Sequence, residues 1–163
     1  MAAQPPYIAV VGPAEADARA REDAAAAGAL IAARGGVVVC GGLGGVMEAA
    51  ARGAAEHGGL SLGILPGSDR AQANRHLTLA LASGLGELRN GLIVRASDAL
   101  LAIGGSWGTL SEIALALRAG LPVAAVGGWV IADAGGAPLA GVRAAASPQE
   151  AVAALFRELD GAR

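Results

Sequence analysis

The fold is decided by residues 99–112, which read ALLAIGGSWGTLSE. The first five form a continuous apolar run that predicts a buried strand. Two glycines follow, and the spacing of Leu110, Ile113 and Leu117 then predicts a helix. A strand, a glycine turn and a helix in this order are typical of α/β proteins, where free N–H groups at the helix N-terminus attract anions. We therefore predict a phosphate at this turn, with Glu112 facing the same crevice.

The predicted anion site is built from glycines and hydroxyl side chains. It comprises Gly104, Gly105, Ser106, Trp107, Gly108 and Thr109. The same turn could instead serve only to pack the helix on the sheet. Its spacing does not fit the dinucleotide pattern G-x-G-x-x-G, so the motif does not predict NAD.

Glu112 also has two interpretations. Residues 109–112 form T-x-x-E, the pattern of a capping box, in which the carboxylate accepts a hydrogen bond from the N–H of Thr109. Alternatively, Glu112 lies within reach of a bound ligand and acts as a base. The spacing alone leaves both interpretations open.

Composition excludes several classes of function. The chain has 163 residues, which suits one domain, predicted to span residues 1–163. All twelve basic residues are arginines, so lysine Schiff-base chemistry and a Walker-type P-loop, which both need lysine, are excluded. The net charge is −2 and no basic stripe is visible, so we do not expect nucleic acid as a partner.

Cysteine, histidine and apolar runs bear on cofactors and location. The single cysteine, Cys40, cannot form an internal disulfide and is expected in the core. His57 and His76 lie far apart, so no His/Cys metal cluster is predicted. The N-terminus lacks the pattern of a signal peptide, and the longest uncharged runs are too short and glycine-rich to span a membrane. We therefore expect a cytoplasmic protein without a membrane partner.

Apolar runs alternate with helical patterns along the chain. The strands are predicted at 7–11, 37–40, 61–65, 77–81, 99–103, 123–126 and 139–142. The helices are predicted at 15–34, 46–57, 87–97, from 110 to the glycine at 120, and from a cap at Ser147 to residue 159, with 68–75 as a loop. The strands are continuous rather than alternating apolar runs, which is typical of a parallel sheet covered on both faces. The predicted fold is a single Rossmann-like, doubly wound α/β domain with ligands at the carboxyl edge of the sheet.

Two other features bear on that edge. A second glycine turn precedes a helix and contains Gly41, Gly42, Gly44 and Gly45. This turn has two interpretations: it is a second site for an anion or a sugar, or it allows two backbone segments to cross closely. Arg89 is predicted in the first turn of its helix, where a cation opposes the helix dipole, and this favours an anionic ligand. We expect Trp107 to be a plug or a base-stacking surface, and Trp129 to mark a subunit interface.

Several of these motifs together resemble one family. Residues 41–54, GGLGGVMEAAARGA, are similar to the GG-x-x-G-x-M-x-A…GA segment of LOG-type (lonely guy) proteins. Residues 58–59 and 63–66 resemble the segment next to it in that family, and 105–112 resemble the signature P-G-G-x-G-T-x-x-E. Arg89 stands ten residues before a strand that Ser97-Asp98 precedes, like the family arginine. The resemblance covers nearly the whole chain.

The resemblance implies both an activity and roles for residues. The family, formerly mislabelled as lysine decarboxylase, contains Rossmann-like oligomers that hydrolyse cytokinin riboside 5′-monophosphates to the free base and ribose 5-phosphate. It implies a phosphoribohydrolase with no required cofactor, assembled as a homodimer or homotetramer. On this resemblance, Gly105, Gly108 and Thr109 hold the 5′-phosphate of a nucleoside monophosphate, and Arg89 and Glu112 are the catalytic pair.

Three positions depart from the family signature. Gly104 replaces a proline, Ser106 replaces a glycine, and Asn90 replaces a lysine. In this form the turn resembles the molybdenum-cofactor carrier branch, which implies a non-catalytic carrier of that cofactor or a related phosphorylated pterin. The hypotheses are therefore a nucleotide-binding phosphoribohydrolase, a pterin carrier, and a nucleotide-sensing regulatory subunit.

Overall fold

Seven strands and five α-helices make up the described residues, 4–162, of this computed structural model. The strands are β1 (Tyr7–Val11), β2 (Val37–Cys40), β3 (Leu60–Leu65), β4 (Leu79–Ala82), β5 (Ala99–Ile103), β6 (Val123–Val126) and β7 (Val142–Ala145). The α-helices are α1 (Ala18–Ala33), α2 (Val46–Glu56), α3 (Asn90–Arg95), α4 (Trp107–Arg118) and α5 (Pro148–Gly161), with 3₁₀ turns at Arg70–Gln72 and Gly86–Arg89. Residues 1–3 and 163 of the predicted domain lie outside the described residues.

The strands form one sheet in the order β4-β3-β2-β1-β5-β6-β7, and every neighbouring pair is parallel. The chain moves outward from β1 to β4, returns beside β1 with β5, and then moves outward in the other direction. The loops after β1 and β5 therefore diverge and leave a crevice at the carboxyl edge. Such switch points are where open α/β sheets bind ligands. The predicted doubly wound α/β fold is confirmed.

The central strands β1, β2, β5 and β6 each contribute to two cores, one on each face of the sheet. Along β1, Ile8 and Val10 pack toward one face, and Ala9 and Val11 pack toward the other, because successive side chains point to opposite sides. Helices α1, α2 and α5 cover the first face, and α3 and α4 cover the second. Burial on both faces explains why the strands are continuous apolar runs.

Helices α1 and α2 cross in backbone contact. A Cβ atom on Gly28 would lie 2.1 Å from the carbonyl oxygen of Ala50, and one on Gly53 would lie 2.0 Å from that of Ala25. Hydrogen is therefore the only side chain that fits at either glycine. The alanine-rich composition of both helices serves this close approach, which holds α2 against the sheet below the glycine turn at 41–45.

Some predicted boundaries were wrong. The predicted strand at 139–142 is instead β7, beginning at Val142, because the N–H of Leu139 donates to the carbonyl of Ile131 in a short hairpin. The predicted helix at 87–97 is divided into the 3₁₀ turn and α3. Helix α1 begins at Ala18, where Asp17 accepts a hydrogen bond from the N–H of Ala20. Within residues 4–162, no helix is both long and apolar enough to cross a membrane.

Candidate functional site

A cleft of about 250 Å³ opens at the switch point between β1 and β5. It lies between the loops after β1, β2 and β5 and the turn that leads into α3. Six predicted site residues line it, namely Gly41, Arg89, Ser106, Gly108, Thr109 and Glu112. Parallel strands bring these residues to one edge although they are far apart in sequence.

The N-terminus of α4 presents free donors to this cleft. Ser106 caps the helix, and its Oγ accepts a hydrogen bond from the N–H of Thr109 at 3.2 Å and lies 2.9 Å from the Thr109 hydroxyl. Within residues 4–162, the N–H groups of Trp107 and Gly108 have no hydrogen-bond acceptor. Unpaired N–H groups at the positive end of a helix dipole form an anion site.

Of the two interpretations of Glu112, the structure excludes the capping box formed by Thr109 and Glu112. Helix α4 begins at Trp107, one residue after its cap, so Thr109 occupies the third helical position and donates its N–H to Ser106. Glu112 lies a full turn further along, beyond reach of the cap. The apolar spacing that begins at Leu110 placed the predicted start of the helix too late.

Arg89 supplies a buried cation with unused hydrogen-bonding capacity. Its side chain is only 9% exposed, and a terminal nitrogen donates to the carbonyl of Gly41 at 3.4 Å. Its Nε is buried without a partner, and in the described residues no carboxylate forms an ion pair with it. Burial lowers the pKa of Arg89 below its ordinary value, but a guanidinium stays protonated. An anion in the cleft would compensate for the burial of this charge.

Asn90, which the sequence analysis did not single out as a site residue, braces the guanidinium. Its Oδ1 accepts a hydrogen bond from Arg89, and its Nδ2 donates to the Ser111 hydroxyl at 3.0 Å. That hydroxyl in turn donates to the carbonyl of Gly108 at 2.7 Å. This chain of hydrogen bonds ties Arg89 to the first turn of α4, so the two cationic elements of the cleft hold a common geometry.

Glu112 is the acidic counterpart of Arg89. It is 6% exposed, and within residues 4–162 its carboxylate forms no hydrogen bond or ion pair. Burial raises its pKa from 4.5 to about 7, although the charge of Arg89 acts in the opposite direction. Glu112 therefore exchanges its proton near neutral pH, which suits a general acid or base or a hydrogen-bond donor.

In the glycine turn at 41–45, the residues occupy two different settings, and the close backbone crossing is seen at Gly45. Gly41 lines the cleft, and a Cβ there would lie 2.6 Å from both a terminal nitrogen of Arg89 and the sulfur of Met47. Gly42 packs on Leu65, whereas Gly45, with φ of 64°, lies against the backbone of residues 13 and 14. Gly42, Gly44 and Gly45 do not line the cleft.

The remaining predicted residues lie elsewhere. Gly104 and Gly105 border a neighbouring cavity, and the indole of Trp129 covers Gly105. Trp107, 80% exposed, meets Trp129 edge-on with the ring centroids 4.9 Å apart. Cys40 is buried, and burial raises its thiol pKa to about 11, so it is a core residue. No group of three His, Cys, Asp or Glu residues in the described chain is arranged to hold a metal.

Sequence reasoning missed several cleft residues. Besides Asn90 these are Val11, Gly12, Ala14, Leu43, Met47, Pro66 and Glu87. A Cβ on Gly12 would lie 2.4 Å from the carbonyl of Ile103, so the switch point itself requires glycine there. In the sequence, the Gly-Pro pair directly after β1 was the signal for this close approach between the ends of β1 and β5.

Known proteins resemble the chain over nearly its whole length. An uncharacterized protein of Archaeoglobus fulgidus is 42% identical over 145 residues, covering 89% of this chain and 91% of that protein. The molybdenum cofactor binding protein of Rippkaea orientalis superposes with a TM-score of 0.86 at 33% identity, covering 96% of this chain and 98% of its own. The molybdenum cofactor carrier protein of Chlamydomonas reinhardtii superposes with a TM-score of 0.85 at 33% identity, and the match covers 96% of this chain and 99% of that protein. Residues 5–152 match the SLOG cluster4 family, and the chain therefore belongs to that family.

Proposed function

We propose that the protein binds a phosphorylated pterin and that its cargo is the molybdenum cofactor. The observation that carries this proposal is the buried guanidinium of Arg89, whose Nε lacks a partner, beside the free N-terminus of α4. The similar proteins of known structure described as binding or carrying the molybdenum cofactor support the choice of ligand.

The residues of the cleft fit the phosphate end of such a ligand. The free N–H group of Gly108 and the hydroxyls of Ser106 and Thr109, which all line the cleft, would hold phosphate oxygens. Arg89, which lines the cleft, would add its positive charge and a charge-assisted hydrogen bond from a terminal nitrogen of the guanidinium. Glycine at position 41 keeps open the space beside the guanidinium, which any larger side chain would fill.

Copurification tests the proposal directly. The protein is produced in a bacterial host that makes the molybdenum cofactor, and molybdenum and oxidised pterin fluorescence are measured per chain after purification. We expect both signals in the native protein and a loss of about tenfold in Arg89→Ala, because one charge-assisted contact is worth roughly 1.5–3 kcal/mol. Arg52→Ala, an exposed arginine on α2, serves as the matched control and should retain both. Equal loading of the two variants, or no pterin in the native protein, would overturn the proposal.

The position of Glu112 favours a second candidate function, hydrolysis of a nucleoside 5′-monophosphate. A carboxylate whose pKa lies near 7, in the same cleft as Arg89, suits activation of water or stabilisation of the positive charge that develops on ribose. In this reaction water replaces the base at the anomeric carbon, and the products are the free base and ribose 5-phosphate. Arg89 and Glu112 would then be the catalytic residues.

Detection of the free base distinguishes the two functions. AMP and isopentenyl-AMP are incubated with the native protein and with Glu112→Gln, and the products are separated by chromatography. Release by the native protein alone identifies a phosphoribohydrolase in which Glu112 is catalytic. Absence of release from both, together with bound pterin, supports the carrier function.

A leucine-rich face is the surface proposed for a homodimer or homotetramer. It consists of Leu85, Leu88 and Leu92 on the 3₁₀ turn and α3, with Leu115 on α4, and Leu88 is 81% exposed. Pairing this face with its own copy would remove the leucines from water. Light scattering on Leu88→Arg should give monomers, whereas Leu79→Arg on the edge strand β4 should leave the assembly intact. Dissociation by the control variant alone would place the interface elsewhere.

A further inference from the structure

A second cavity, of about 320 Å³, lies on the other side of the α4 N-terminus. Its walls are apolar side chains of α4, β7 and the segment 127–141 that connects β6 to β7. Those that matter most are Ile113, Trp129, Ile131, Leu139 and Val142. Neither Arg89 nor Glu112 borders this cavity, so it differs in chemistry from the cleft.

The cavity exists because the chain passes from β6 to β7 without a helix, which leaves the second face of the sheet without a helix of its own over β7. Helices α3 and α4 cover that face nearer the centre, and the irregular segment 127–141 closes the remainder. The strand positions beneath are small, since Ala102, Ala125 and Ala144 are direct neighbours across β5, β6 and β7. Side chains of this size do not reach the covering segment, and space remains between them.

The cavity adjoins the proposed anion site. Ser106 and Thr109 border both spaces, so a group held at the start of α4 can extend to either side. On the cavity side, the indole of Trp129 lies over the backbone of Gly105 and is supported edge-on by Trp107. An aromatic wall beside a helix N-terminus suits a ligand that joins a flat ring to an anion.

We propose that this cavity binds a fused bicyclic aromatic ring belonging to an anionic compound whose charged group lies at Ser106 and Thr109. An apolar cavity of about 150 Å³ binds benzene, so roughly twice that volume accommodates two fused rings. The apolar walls select a ring with few polar atoms, which separates this ligand from the polar pterin assigned to the cleft. The placement of the charged group rests on the anion site of the proposed function. The placement of the ring in the cavity does not depend on it.

The test titrates the ¹⁵N-labelled protein with three probes: 1-naphthyl phosphate, 1-naphthol and inorganic phosphate. The chain has two tryptophans, so the spectrum contains two indole N–H signals, and Trp107→Phe identifies that of Trp129. We expect both naphthyl probes to shift the Trp129 indole and inorganic phosphate to leave it nearly unchanged. The two phosphate probes should shift the backbone N–H of Gly108, and 1-naphthyl phosphate should bind about tenfold more tightly than 1-naphthol.

Filling the cavity provides the control. Ala125→Leu and Ala144→Leu add volume from two different strands, and either should weaken binding of 1-naphthyl phosphate about tenfold. Ala55→Leu makes the same change on the exposed face of α2 and should have no effect. The remaining amide signals report whether each variant is folded, and the exposed position of Ala144 makes its variant the safer of the two.

The outcomes separate the two proposals. If neither naphthyl probe moves the Trp129 indole, or if both filling variants bind as the native protein does, the cavity proposal is overturned. If 1-naphthol binds and inorganic phosphate does not move Gly108, the anion site of the proposed function fails while the ring site stands. Equal affinity for the two naphthyl probes would refute the link between ring and anion.

Discussion

Replacing Glu112 by Gln should stabilise the protein in a pH-dependent way. Glutamine keeps the shape of the side chain and removes its ionisation. Because burial raises the pKa of Glu112 from 4.5 to about 7, the folded protein keeps this proton at pH values where the unfolded chain has released it. The unfolded state therefore binds fewer protons in this window, and the free energy of unfolding falls as pH rises.

The size of the effect is set by the pKa. Each pKa unit is worth about 1.4 kcal/mol, so ionising Glu112 in the folded state costs about 3 kcal/mol. That cost is absent below pH 4.5, develops between pH 4.5 and 7, and is complete above pH 7. Glu112→Gln should therefore match the native protein near pH 4.5 and exceed its stability by up to about 3 kcal/mol at pH 8.

Urea denaturation followed by circular dichroism between pH 4.5 and 8 measures this difference. Buffers without phosphate keep the anion site free, and Glu22→Gln on the exposed surface of α1 controls for the loss of one carboxylate. The control should differ little from the native protein at any pH in the range. A constant difference between Glu112→Gln and the native protein, or a less stable variant at pH 8, would show that the carboxylate of Glu112 is not buried as described.

Three further substitutions, two of them paired with a control variant, test the packing and the site. Gly45→Ala should destabilise the fold by about 2 kcal/mol or more, measured by urea denaturation, because φ is 64° and the added Cβ would lie 2.3 Å from a backbone oxygen. Gly58→Ala, with a similar φ and open space, should cost only about 1 kcal/mol. Gly28→Ala should push α1 away from α2 and lower the melting temperature, because the added Cβ would meet the backbone of α2. Gly91→Ala, in open space within α3, should raise the melting temperature, because alanine has the higher helix propensity. Asn90→Ala should weaken binding of inorganic phosphate about tenfold in calorimetry, because it releases Arg89, and unchanged affinity would exclude the positioning role.

Local sequence patterns predicted the elements better than their ends. The apolar runs at β1, β2, β5 and β6 match the observed strands because burial on both faces leaves no polar side chain within them. The connection from β6 to β7 was less predictable, since its short hairpin is held by the contact between Ile131 and Leu139 rather than by periodicity. The sequence left open whether Thr109 caps α4, and the structure places the cap at Ser106. Both are hydroxyl residues, and the choice between them depends on where the turn leaves β5.

The sequence by itself determined the parallel α/β class, the glycine turn before α4 and the exclusion of lysine-dependent chemistry, because each depends on residue type or on neighbours along the chain. Only the tertiary structure decided what these residues form together. Strand order brought Gly41 to Arg89 across 48 positions and placed Glu112 in the same cleft. It also left Arg89 buried with an unused donor, and it opened a second cavity on the other side of the α4 N-terminus, since burial and empty space arise from packing between distant segments.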